Sequence, residues 1–280
     1  MEIETMLRAY MPESEGMQAE LAEAMRYSVF TGGKRIRPRL MLLAWEMYGG
    51  QGENPAPFMA AMEMLHTYSL VHDDLPALDG DTVRRGRETT WRKYGECMGI
   101  LAGDGLLHHA FETAAACLAH AEYPERAGRA LHVLAQKSGV SGMLGGQAFD
   151  TAHSGDALTA DELLGLYEKK TAALISASLM IGAILAGADE GDVTILEQAG
   201  IRVGIAFQIR DDMIDSAEAP ETPGSDARNR KTTYVSLFGM QAAEEAALRY
   251  SEEAIALLRG LSADSAPLQQ MIRRMAVRRQ

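Results

Sequence analysis

The chain has 280 residues, enough for one large domain or two ordinary ones with a substantial core. Its 47% hydrophobic and 24% charged content excludes a disordered chain, and a net charge of -12 excludes the basic footprint of a nucleic-acid-binding protein. Two cysteines, Cys97 and Cys117, are too few for a disulfide framework, and MEIETMLRAY lacks the basic-then-apolar order of a signal peptide, so a soluble cytoplasmic protein is expected.

Taken in chain order, MQAELAEAMRYSVF (17–30) has apolar residues at helical spacing. GGKRIRPRL (32–40) then brings Lys34, Arg35, Arg37 and Arg39 together behind a glycine pair. Glycines followed by cations before a helix suit an anion, because free backbone N–H groups and side chains face it together; a solvated basic loop is the plainer reading. After the breaker GGQGENPAP (49–57), an apolar helix containing MLHTYSLVHDD runs into HDDLPALDGDTVRRGR (72–87). Further breakers lie at EYPER (122–126) and HSGD (153–156). Lys169 and Lys170 open an uncharged stretch, Thr171 to Ala188, which is near membrane-spanning length but stands alone and holds serines and glycines. It is read as a buried core helix, with no transmembrane segment in the chain. A second apolar helix enters FQIRDDMID, the loop EAPETPGSD (218–226) follows, and TTYVSLF (232–238) has strand-like composition with no partner strand. AAEEAALRYSEEAIALLRGL (242–261) closes the series as an amphipathic helix. The prediction is an all-α protein of roughly ten helices, a single domain over 1–280, with no sheet and no linker long enough to divide it.

The two acidic clusters carry the chemistry. Asp211 and Asp215 are four apart, so on a helix they share a face one turn apart, a repulsive pair unless a cation lies between them. Asp73 and Asp79 are six apart and would face different ways on a regular helix; Pro76 removes that helix. If the segment loops out by two residues, Asp79 returns to Asp73. Hard oxygen donors with room for water and phosphate suit Mg²⁺. Arg84 and Arg85 are adjacent, so on a helix they diverge by about 100° and serve two anions better than one. His66 precedes Asp73 by seven residues, on nearly the same face, where a lone histidine is ordinarily structural. Carboxylates with Mg²⁺ and scattered cations make a diphosphate site. Two clusters and two arginines suggest two diphosphates, and the apolar approach helices suggest hydrocarbon tails.

GGKRIRP, HTYSLVHDDLPALDGDTVRRG, ILAGDGLL, GGQAFD, EKKTAAL, FQIRDDMID and RKTTYVSLFG, in that order, resemble the all-trans polyprenyl diphosphate synthases, most closely those of the bacterial farnesyl type. The resemblance spans nearly the whole chain. It implies helices around a deep central cavity, a homodimer, three Mg²⁺, and head-to-tail condensation of isopentenyl diphosphate with allylic diphosphates (dimethylallyl, geranyl) to farnesyl diphosphate. It further implies that Asp73, Asp79 and Asp211 ligate metal and that Asp74, Asp212 and Asp215 support them. Lys34, Arg37, His66 and Arg85 correspond to the isopentenyl diphosphate site. Arg84, Lys170, Thr171, Gln208 and Lys231 correspond to the allylic site, with Lys170, Thr171 and Gln208 nearest the reacting carbon. Tyr68, with Ser69 beside it, corresponds to the position that sets chain length.

One stretch departs from the family. The loop after DDMID is about four residues short, with Glu221 where a lysine is usual and Arg230 where a glycine is usual; Arg228 or Arg230 is left to substitute for the missing cation. Rival readings are a geranylgeranyl diphosphate synthase, a terpene cyclase and a non-catalytic partner subunit that binds prenyl diphosphate. GGKRIRP with His66 argues against the cyclase, and the retention of both acidic motifs argues against the partner subunit.

Overall fold

In the computed structural model, residues 2–217 and 231–277 are described. The shortened loop, with Glu221, Arg228 and Arg230, lies outside them. The helices in chain order are α1 (Ile3–Tyr10), α2 (Ala19–Phe30), α3 (Ile36–Met47), α4 (Ala56–Asp73), α5 (Thr90–Tyr94), α6 (Glu96–Ala116), α7 (Pro124–Ser138), α8 (Met143–Ala152), α9 (Ala160–Tyr167), α10 (Ala173–Ala186), α11 (Glu190–Ala217), α12 (Tyr234–Phe238), α13 (Met240–Leu258) and α14 (Ala266–Ala276). Twelve of these have eight residues or more, so the fold is all-α with slightly more helices than the breakers suggested. A minimal hairpin, β1 (Val83–Arg84) with β2 (Arg87–Glu88), is a small exception to the expected lack of sheet.

α10 is the centre of the bundle. It carries no charge, its thirteen residues from Ala173 to Leu185 are buried, and it packs against α3, α7 and α11. The continuous helical segment Ala160–Ala186 is long and apolar enough to cross a membrane by length and composition, yet 83% of its most apolar window is buried inside the fold. A helix apolar all round is what a large core requires of its central element. α4 packs on α6 and supplies Phe58, Met59, Met62, Met64 and Leu65 to the same core. A smaller core of Leu163, Leu166, Ile205, Ile209, Met213 and Ala247 joins α9, α11 and α13.

Two local outcomes differ from the sequence reading. TTYVSLF, strand-like in composition only, is helical over Tyr234–Phe238. Thr233 and Ser236, three apart, form a reciprocal cap, with Ser236 N donating to Thr233 Oγ1 at 3.1 Å and Thr233 N to Ser236 Oγ at 2.9 Å. A satisfied cap outweighs weak β-propensity. Arg84 and Arg85 diverge through the hairpin and not through a helix, because Arg85 adopts a left-handed φ of 54°.

A candidate active site between α4, α8 and α11

α4 ends at Asp73, and the chain turns because Pro76 cannot continue the helix. Asp79 N donates to Asp73 O at 2.9 Å, so the six-residue spacing closes into a loop with both carboxylates together. Burial pushes the Asp73 carboxyl above its ordinary value, and neighbouring Asp79 adds to the rise against Lys170, Arg84 and Lys231. Asp211 stands across the cavity on α11, and Asp215 follows one turn further along that helix. The cavity lined by Asp73 and Asp211 has a volume of about 400 Å³. Asp73, Asp211, Arg84, Lys170, Thr171 and Gln208 give it polar lining, and Tyr68, Leu78, Met143 and Phe207 provide apolar lining.

A second cavity of about 480 Å³ opens beside the first, lined by Lys34, Arg35, Arg37, Glu63 and His66. The two share Arg37, His66, Arg85 and Phe207. Arg37 is buried, and its Nε has no hydrogen-bond partner among the described residues. Burial lowers its guanidinium to about 10, with Arg85 adding to the fall and Glu63 and Asp211 opposing it. Burial and four surrounding arginines, Arg37 foremost, hold His66 well below the ordinary histidine value, so it is neutral at pH 7. Arg35 turns inward instead. In a left-handed conformation (φ 50°), it donates to Glu63 Oε1 (2.7 Å), Glu4 Oε1 (2.7 Å) and Val29 O (2.7 Å). This buried network ties the basic loop to α1 and α4 and leaves Lys34 at the mouth and Arg37 inside. Gly33 allows Arg85 to cross closely, and Arg85 Nη1 donates to Gly32 O.

The remaining predicted residues fall as follows. Asp74 does not line the first cavity; it accepts from Arg84 Nε at 2.8 Å and Nη2 at 2.7 Å. Burial raises Asp74 to about 6 despite the guanidinium. Lys231 Nζ lies 3.0 Å from Asp79 Oδ1 and 3.2 Å from Asp150 Oδ2, and Lys170 Nζ lies 2.5 Å from the same Asp150 oxygen. Thr171 Oγ1 donates to Gln208 Oε1 at 2.7 Å. Tyr68 is 5% exposed and meets His72 edge to face, with centroids 5.8 Å apart, while Ser69 Oγ donates to His66 O at 2.9 Å. Asp212, expected among the metal supports, sits at the junction of α9, α11 and α12 and accepts from Tyr167, Gln208 and Tyr234.

Sequence reasoning missed three features. Asp150 gathers two lysines; burial would raise its carboxyl, but Lys170 and Lys231 outweigh burial and lower it. Residues Glu168–Ala172 form a π-helical turn between α9 and α10, which offsets Lys170 and Thr171 from the regular helical register. Gly146 and Gly204 clasp that turn from α8 and α11: a Cβ at 146 would lie 2.5 Å from Lys170 N, and one at 204 would overlap Ala172. The juxtaposed glycines could have been suspected from GGQ and RVGIAF, but their shared target is visible only in three dimensions.

Carboxylates facing lysines and arginines across a cavity with a hydrocarbon lining define a site for a diphosphate ester with an apolar tail. The family model for polyprenyl synthetase matches residues 18–270, and the chain belongs to that family. The farnesyl diphosphate synthase of Geobacillus stearothermophilus is 39% identical over 280 residues, covering 99% of this chain and 94% of its own length. A chloroplastic geranylgeranyl pyrophosphate synthase of Capsicum annuum is 42% identical over 252 residues, covering 88% of this chain and 68% of its own length. Among solved structures, a Helicobacter pylori geranyltransferase complexed with magnesium and isoprenyl diphosphate superposes with a TM-score of 0.84 at 31% identity, covering 98% of this chain and 92% of that one.

Proposed function

We propose that the protein is a farnesyl diphosphate synthase, a prenyltransferase joining isopentenyl diphosphate head to tail with dimethylallyl and then geranyl diphosphate. The observation that carries this reading is the pair of contiguous cavities sharing Arg37, His66 and Arg85, with aspartates lining one and cations lining both. One cavity takes the allylic diphosphate on Arg84, Lys170 and Lys231. The other takes isopentenyl diphosphate on Lys34, Arg37 and Arg85, with neutral His66 beside them. The chain is read as one domain over 1–280, supported by the length of the family match.

Among the described residues, no three metal-ligating side chains converge tightly enough to enclose a cation by themselves. That fits Mg²⁺, which is held by one or two carboxylates and completes its shell with water and phosphate oxygens. Asp73, Asp79 and Asp211 are the residues that would hold it, three ions per site in our reading. Bound there, Mg²⁺ supplies positive charge to the departing diphosphate. Asp215 stands one turn from Asp211, and Asp74 contributes by fixing Arg84.

The reaction follows from the chain's own groups. Lys170, Lys231 and Arg84 stabilise diphosphate as the allylic C–O bond breaks and both electrons leave with oxygen. Thr171 Oγ1 and Gln208 Oε1 face the resulting carbocation. The double bond of isopentenyl diphosphate attacks through C4, C2 loses a proton to the departed diphosphate, and a new double bond forms. The apolar lining excludes water that would quench the cation. Tyr68 stands five residues before Asp73, about 7 Å deeper along α4, and blocks further growth at fifteen carbons. Half-exposed Ile100 and Leu101 on α6 support a homodimer, and free thiols at Cys97 and Cys117 support a cytoplasmic location.

The test is prenyl transfer from geranyl diphosphate to isopentenyl diphosphate in Mg²⁺. Turnover should vanish in excess EDTA and in Asp73→Ala or Asp211→Ala, while thermal unfolding stays close to wild type because each change relieves like-charge repulsion. Turnover that persists in EDTA would overturn the metal assignment.

A further inference from the structure

Asp212 is one of two adjacent aspartates in DDMID, yet its surroundings differ from those of Asp211. Asp211 lines the first cavity, whereas Asp212 is 2% exposed. Its Oδ2 accepts the Tyr167 hydroxyl and the Tyr234 backbone N–H at 2.8 Å. Its Oδ1 accepts Gln208 Nε2 at 3.1 Å. The Tyr167 hydroxyl also accepts from Tyr234 N at 3.0 Å, so tyrosine and carboxylate form one cluster.

The consequence falls on Gln208. A carboxamide has two ends of nearly equal size and opposite polarity, and only its partners decide which end faces a cavity. Asp212 Oδ1 accepts from the NH₂ end of Gln208, and this directs Oε1 toward Thr171. Rotated by half a turn, Gln208 would present its positive NH₂ end to the carbon that becomes a cation. We infer that Asp212 is a positioning residue for prenyl transfer: held by Tyr167 and Tyr234 N, it fixes the Gln208 carboxamide with oxygen toward the reacting carbon. The inference rests on the prenyl-transfer reading above. It separates the roles of the two neighbouring aspartates, one facing diphosphate and one facing glutamine. It also connects α12, and through it the Lys231 segment, to the group that faces the cation.

Asp212→Asn tests it, since asparagine keeps the shape and offers an NH₂ end to which Gln208 Oε1 can turn. Turnover should fall by roughly 10²-fold, the size expected when one preorganised dipole is lost. The Michaelis constants and the Mg²⁺ concentration for half-maximal rate should not change. In a Gln208→Leu background, which has neither amide end, Asp212→Asn should cost nothing further. Tyr167→Phe retains the carboxylate and should give a smaller loss that also disappears with Gln208→Leu; it decides the matter if Asp212→Asn does not fold. The Gln208 side-chain NH₂ signals, assigned by their loss in Gln208→Leu, should shift in both variants. Wild-type turnover in folded Asp212→Asn, recovery with extra Mg²⁺, additivity with Gln208→Leu, or an unaffected Tyr167→Phe would each overturn the inference. Absence of prenyl transfer by the wild type would instead overturn the reading beneath it.

Discussion

Gly146→Ala adds one methyl group and no charge, yet it should damage the site. The new Cβ would lie 2.5 Å from Lys170 N, 2.8 Å from Lys170 Cα and 2.9 Å from Lys169 Cβ. Ordinary contact begins at 3.4 Å, so α8 or the π turn must retreat by about 1 Å. The two nearest atoms are backbone, and no side chain can swing aside to make room. Overpacking of this kind costs about 1–3 kcal/mol, and Tm should fall by roughly 2–4 °C for each kcal/mol. A displacement of about 1 Å at Lys170 and Thr171 should lower turnover by roughly 10²-fold. Steady-state kinetics with geranyl diphosphate, paired with thermal unfolding by circular dichroism, read both effects. Gly128→Ala is the control: it is a helical glycine in α7 with nothing within 4 Å of where a Cβ would stand, so alanine should stabilise by about 0.5–1 kcal/mol and leave turnover alone. If Gly146→Ala melts and turns over like the wild type, the clasped π turn does not position these groups.

His66 is held neutral in the fold, whereas the unfolded chain takes up a proton there as pH falls through about 6.5. Its contribution to stability is therefore lost as pH falls below about 6.5 toward its lowered native value, and His66→Gln should flatten that part of the pH–stability curve in urea titrations. Arg85→Ala should raise the Michaelis constant for isopentenyl diphosphate more, and Arg84→Ala that for the allylic substrate more, because Arg84 lines only the first of the two cavities described. If both variants affect one substrate alone, the division of the cavities is wrong. Tyr68→Ala should lengthen the product to twenty carbons or more on chromatography while leaving the Mg²⁺ requirement unchanged; an unaltered length would make Tyr68 an ordinary packing residue.

Much of this arrangement was legible in the chain because it depends on local spacing. Aspartates four apart on an apolar helix, and a proline between Asp73 and Asp79, describe their own geometry through helix pitch and the missing N–H. The uncharged run before Ala188 could be read as a core helix from composition. What escaped depends on contacts between distant segments. Asp150 meets Lys170 and Lys231 from positions 20 and 81 residues away. EKKTA contains no residue that signals a π turn, and the glycines that accommodate it come from α8 and α11. Asp211 and Asp212 are the same residue type side by side, so their separate partners emerge only once α9 and α12 have packed against α11. Arg35 looks like its basic neighbours until Glu63, 28 residues later, turns it inward.

The most direct measurement is product analysis of the purified chain supplied with Mg²⁺, isopentenyl diphosphate and, separately, dimethylallyl, geranyl and farnesyl diphosphate. Farnesyl diphosphate should accumulate from the first two starters, and farnesyl diphosphate itself should be elongated little or not at all. Geranylgeranyl diphosphate as the main product, or no condensation with any starter, would contradict the assignment.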